Sequence, residues 1–169
     1  MIFALGYLAS VVGANLLLRY VGFAPVWPGV MAPAGVYLAG ISFTLRDFTQ
    51  ERLGRRWCIG VILLGSAISA LFGGSLALAS GLAFLISEAA DFAAYTPLRS
   101  KSLILAIVVS NTLGAALDSA IFLLLAFGSL AFFWGQFIGK GWATLLFVIP
   151  LAVYRWHRRA GAVQAQGAA

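Results

Sequence analysis

Apolar residues dominate the chain in long runs, broken by short polar stretches. A helix crossing a bilayer needs about 20 apolar residues. On that measure the pattern predicts six spans, near residues 2–20, 28–45, 57–72, 76–95, 103–126 and 131–153. The stretches between them are too short for a soluble domain. The third run is the weakest, being only some 16 residues long. A helix continuing through Gly73-Gly74 would merge it with the fourth, but that pair also fits a tight turn. The apolar start at Met1-Ile2-Phe3, with no basic residues before it, predicts a first span and not a cleaved leader. Residues 160–169 are small and polar, which predicts a disordered tail.

Composition agrees with lipid as the solvent. The chain of 169 residues is 62% hydrophobic and 9% charged, against roughly 25% charged in soluble domains. The expected fold class is an all-α polytopic membrane protein, a bundle of six transmembrane helices.

Charge supplies the orientation. With six spans, nine of the 11 basic residues fall on one side: Arg46, Arg52, Arg55, Arg56, Arg99, Lys101, Arg155, Arg158 and Arg159. Arg19 falls on the other, and Lys140 lies within a span. Positive residues favour the cytoplasmic side, so both termini are expected there, in a plasma (inner) membrane. Five spans would divide the basic clusters between the two sides. With six spans, Trp57 and Trp156 sit at the inner interface and Trp27 and Trp134 near the outer one. The net charge of +6 reads as topology and not as a nucleic-acid surface.

Charges inside a bilayer are costly and usually mark function. Glu88, Asp91, Asp118 and Lys140 fall within spans, with Asn111 and Gln136 as uncharged polar groups. Asp118 and Lys140 lie eight and nine residues from the outer ends of spans five and six. At 1.5 Å per residue both are roughly 12–14 Å deep and can pair. Glu88 and Asn111 match in depth near the inner third. Asn111 and Asp118 share a helical face, as do Gln136 and Lys140. These residues line a substrate cavity or, for Asp118–Lys140, form a strut between two helices; for Asp91, near the inner interface, an exposed and solvated role is equally open. Trp142 is the aromatic suited to stacking on a planar ligand, with apolar packing equally open. Small residues at spacing four (Gly6, Ser10, Ala14; Gly73, Ala77, Gly81; Gly135, Gly139) suit close helix packing, within the chain, against a second copy or against coupling subunits.

One cysteine, Cys58, rules out an internal disulfide and a cysteine metal cluster, and one histidine, His157 in the basic tail, supports neither zinc chemistry nor a serine–histidine nucleophile. An enzyme is not expected, and no cofactor or metal.

The segment after span two reads Asp47-x-x-x-Glu51-x-x-Gly54 followed by Arg55-Arg56. It is read as a cytoplasmic loop or helix cap, or as a gate. It resembles the corresponding loop of the VUT family, the vitamin uptake transporters also described as queuosine-precursor transporters. Glu88-Ala-Ala-Asp91 with Leu98-Arg99, Ser110-Asn111 with Leu117-Asp118-Ser119-Ala120-Ile121-Phe122, and Lys140 with Pro150 resemble further family segments in order. Ser119 departs from the family's usual threonine. The resemblance implies uptake of a deazapurine-like solute such as 7-cyano-7-deazaguanine or its aminomethyl relative. Under it, Glu88, Asp91, Asn111, Asp118, Gln136, Lys140 and Trp142 are candidate substrate contacts. Asp47, Glu51, Gly54 and Arg99 are candidate gate residues. A substrate-capturing subunit of an energy-coupling-factor complex is the alternative.

Overall fold

The computed structural model describes residues 1–71 and 74–167; the expected turn at Gly73 lies outside them. Six helices and one hairpin follow in the order α1 (Ile2–Tyr20), β1 (Phe23–Trp27), β2 (Val30–Pro33), α2 (Val36–Leu53), α3 (Arg55–Leu71), α4 (Gly74–Leu98), α5 (Leu103–Phe127) and α6 (Phe133–Gly167). α6 continues past residue 160, where the sequence suggests a disordered tail.

Four helices are long and apolar enough to cross a membrane: α1, α4 from Ser75, α5, and α6 from Phe133 to Tyr154. α3 is one residue short of 18, and α2 carries Arg46, Asp47, Glu51 and Arg52. The packing is inverted relative to a soluble protein. Leu63, Leu124, Leu146 and Ile149 are each at least half exposed, while Arg46, Asp47, Glu88, Asp91 and Lys140 are buried. That pattern suits a lipid surround, where the polar groups turn inward.

The second expected span, 28–45, is displaced. The helix begins at Val36, because the preceding residues form an antiparallel hairpin pairing Phe23 with Pro33 and Trp27 with Val30. Pro28-Gly29 makes its turn, with Gly29 at φ +75; proline fixes one turn position and glycine accepts the left-handed one. The helix therefore runs eight residues beyond the expected end. Arg46 and Asp47, expected in a cytoplasmic segment, lie inside it and are fully buried. The helix stops at Gly54, whose φ of +86 permits the sharp reversal into α3.

The small-residue stripes are used within the chain. Gly6 faces Leu45 and Gly35 faces the Ala14 backbone, closing α1 onto α2. Gly135 and Gly139 admit Met31 and Val36 against α6. Gly40 brings α2 onto α6, where an added Cβ would lie 2.7 Å from the Ala143 Cβ and 2.8 Å from the Lys140 Cα. Gly40→Val should therefore cost at least about 1–3 kcal/mol by overpacking. An unchanged melting temperature of the purified variant would show that this crossing tolerates separation.

Candidate functional site

At the hairpin end, α1, α2, α4, α5 and α6 surround a cleft with about 400 Å³ of empty space, its open mouth included. Asn15, Ser80, Asp118, Gln136 and Lys140 supply its polar lining, and Leu18, Val36 and Phe122 much of its apolar lining.

Lys140 organises its base. Its ammonium group donates to Asp118 Oδ2 at 2.6 Å, Ser119 Oγ at 2.8 Å and Gln136 Oε1 at 2.8 Å. An ammonium has three hydrogens, so these bonds use its capacity in full. The depth match expected for Asp118 and Lys140 is thus a direct ion pair. Gln136 accepts through its oxygen, so its amide NH2 group is not used by Lys140. Across the cleft, the Asn15 amide donates to Ser69 at 3.0 Å, and Ser69 meets Ser80 at 3.0 Å.

Glu88, Asp91 and Asn111 belong to a separate cluster deeper in the bundle, built around Arg46. The guanidinium meets three carboxylates: Nη1 lies 3.0 Å from Asp47 Oδ1, Nε lies 3.0 Å from Glu88 Oε2, and Nη2 contacts Asp91 Oδ1. Only the Nε contact is aligned as a hydrogen bond. The Asn111 amide is satisfied with its NH2 toward Asp47 Oδ2 and Asp91 Oδ2, both at 3.2 Å, and its oxygen toward the Thr44 hydroxyl at 3.0 Å. In the opposite orientation its oxygen would face acceptors alone. Gly114 leaves room for Asp91, and the Tyr95 ring packs against the guanidinium, 5.6 Å from its carbon.

One contact leads from the cleft to this cluster. Ser87, next to Glu88, approaches Asp118 Oδ1 at 3.5 Å. Beyond the cluster, Tyr95 donates to Glu51 at 2.8 Å, and Arg99 forms a two-pronged pair with Glu51. The Glu51 carboxylate holds the Arg99 guanidinium above its ordinary pKa by hydrogen bond and charge. Glu51, Gly54, Arg99, Gln50 and Thr96 line a second, polar cavity at this end. Ionic side chains thus step through the bundle from one cavity to the other.

Trp142 stands apart from both. It is 45% exposed and stacks on Trp27 with ring centres 5.7 Å apart and planes 8° from parallel. Phe122 is the aromatic in the cleft. Arg46, Phe122 and Ser80 are absent from the site expected from sequence. Glu88 and Asp91, two carboxylates in one apolar span without a basic residue, called for a buried cation; the sequence did not mark Arg46 among the neighbouring arginines as the one that supplies it.

A family model described as "Putative vitamin uptake transporter" matches residues 66–154, more than half the chain. The match runs from α3 through α6 and includes the Lys140–Asp118 pair, Glu88, Asp91 and Asn111. No curated protein and no solved structure matches the chain. A bundle with apolar helices outside, charged groups inside and polar cavities at both ends agrees with that description: the chain belongs to the vitamin uptake transporter family.

Proposed function

We propose that the protein imports a small planar solute, a queuosine precursor of the 7-deazaguanine type, through the cleft that Lys140 organises. The observation that carries this reading is the cleft itself. A purine-like base presents donors and acceptors along its edges. The Gln136 amide and the Asp118 carboxylate offer the complementary groups, and Phe122 and Leu18 offer apolar walls.

Six membrane crossings accompany this reading, with α2 and α3 included and both termini cytoplasmic in the plasma membrane. With Arg46 buried, the remaining basic positions divide unevenly between the ends of the bundle. Arg52, Arg55, Arg56, Arg99, Lys101, Arg155, Arg158 and Arg159 belong to the Gly54 end, while Arg19 belongs to the hairpin end. That asymmetry favours the Gly54 end inside and the cleft outside. The cluster around Arg46 then closes the path between the two cavities.

A strain unable to make the deazaguanine precursor tests the proposal, with queuosine in tRNA as readout. Expression of this chain should restore modification when 7-cyano-7-deazaguanine is supplied at low concentration. Gln136→Ala should weaken apparent affinity about three- to tenfold, the value of one or two net hydrogen bonds. Failure to restore modification would reject the substrate. Restoration only together with a coupling ATPase would make the chain a capture subunit instead. The Gly6, Ser10 and Ala14 stripe gives that alternative little support, since Gly6 and Ala14 already pack against α2.

A further inference from the structure

We infer that Glu88 carries a proton in this conformation and releases it during the transport cycle, so that import is driven by protons. This rests on the transporter reading above and concerns the cluster, not the cleft.

Charge counting starts the case. Arg46 brings one positive charge to three buried carboxylates, Asp47, Glu88 and Asp91. Full ionisation would leave two uncompensated negative charges away from water, an excess that buried sites reduce by taking up protons or cations; one proton on one carboxylate halves it. The guanidinium already occupies the position between the carboxylates where a metal cation would sit. A proton needs no such space.

The geometry selects the residue. Asp47 and Asp91 each have one oxygen against Arg46 and the other served by the Asn111 amide. Asp47 Oδ1, Asp91 Oδ1 and Glu88 Oε1 are all buried without an aligned hydrogen bond, but the two aspartate oxygens are the ones paired with Arg46, whereas Glu88 pairs through Oε2 and its Oε1 is left over. That free oxygen is where an O–H bond forms. The Tyr7 hydroxyl on α1 is another buried group without a hydrogen-bond partner. Cys58 of α3 and Asp118 of α5 are the remaining titratable groups that Glu88 acts on or feels. Asp118 matters most for coupling, because Ser87 ties it to the residue beside Glu88. A solute that disturbs Lys140–Asp118 alters the field at Glu88.

Infrared difference spectra of the full chain in lipid vesicles read the proton directly. At neutral pH a protonated-carboxyl C=O stretch should be present in wild type and in Asp118→Asn, and absent in Glu88→Gln, whose amide mimics the protonated acid. A missing band in wild type, or one that survives in Glu88→Gln, overturns the assignment. Transport supplies a second measurement. With one proton per solute, an inward gradient of one pH unit should drive about tenfold accumulation of 7-cyano-7-deazaguanine. Uptake indifferent to pH, or driven by a sodium gradient alone, overturns proton coupling. Vesicles that take up none of this solute under any gradient would reject the transport reading, while the infrared band still decides the state of Glu88.

Discussion

Replacing Arg46 with methionine should leave almost no folded protein in the membrane. Arg46 is fully buried and is the cation that Asp47, Glu88 and Asp91 share. Removing one partner of a buried ion pair costs about 3–5 kcal/mol, because the other charge stays behind without compensation. Here three carboxylates lose the same partner. Even with protons taken up in response, the loss is comparable to the whole stability of a typical domain. Lysine should rescue only in part. An ammonium is a point charge, whereas the guanidinium reaches three carboxylates from three nitrogens. The informative comparison is a quadruple variant, with methionine at 46 and Asp47→Asn, Glu88→Gln and Asp91→Asn. It should recover much of the folded yield in detergent, since no uncompensated charge remains. A monodisperse single Arg46→Met variant with the wild-type melting temperature would show that the cluster contributes nothing to folding.

That cluster also shows how far the sequence could be read. The helices were legible because lipid-facing apolar runs leave a strong, local signal. The start of α2 was not. Hydropathy averages across Val26, Val30 and Met31, whereas the decisive residues are Pro28 and Gly29, which break a helix and make a turn. Once that helix slides toward Leu53, the segment around Arg46 ceases to be a loop and becomes part of the interior. The positive-inside pattern had counted Arg46 with the basic residues that set orientation, since charge bias cannot separate a loop arginine from a buried one.

Depth matching succeeded where two helices are joined by a short turn. α5 and α6 are antiparallel neighbours, so counting from the expected outer ends of their spans, residues 126 and 131, brings Asp118 and Lys140 to nearly one level, and the two meet as an ion pair. The same counting placed Asn111 beside Glu88, whereas the Asn111 amide serves Asp47 and Asp91. Depth fixes height and not rotation about the axis, so it does not tell which acid Asn111 meets. Trp142 illustrates the same limit. Its height in α6 says nothing of its direction, and it turns outward onto Trp27 of the hairpin.

Lys140→Met should abolish uptake and destabilise the protein, and the two effects can be separated. The ammonium is bonded to Asp118, Ser119 and Gln136 and is almost wholly buried. Without it Asp118 keeps a charge whose remaining close donor is Ser87, at 3.5 Å. The expected penalty is again about 3–5 kcal/mol, read as a lower melting temperature and yield. Adding Asp118→Asn should recover a large part of that loss, because replacing both members of a buried pair with neutral groups is often close to neutral. Uptake should stay absent in the double variant. A strut would be replaceable by any pair that packs, whereas a cleft that reads a solute needs the carboxylate and the amide that Lys140 holds in place. Transport by a well-folded double variant at wild-type rates would reduce Lys140–Asp118 to a strut. Loss of uptake with restored stability would make the pair part of the transport machinery.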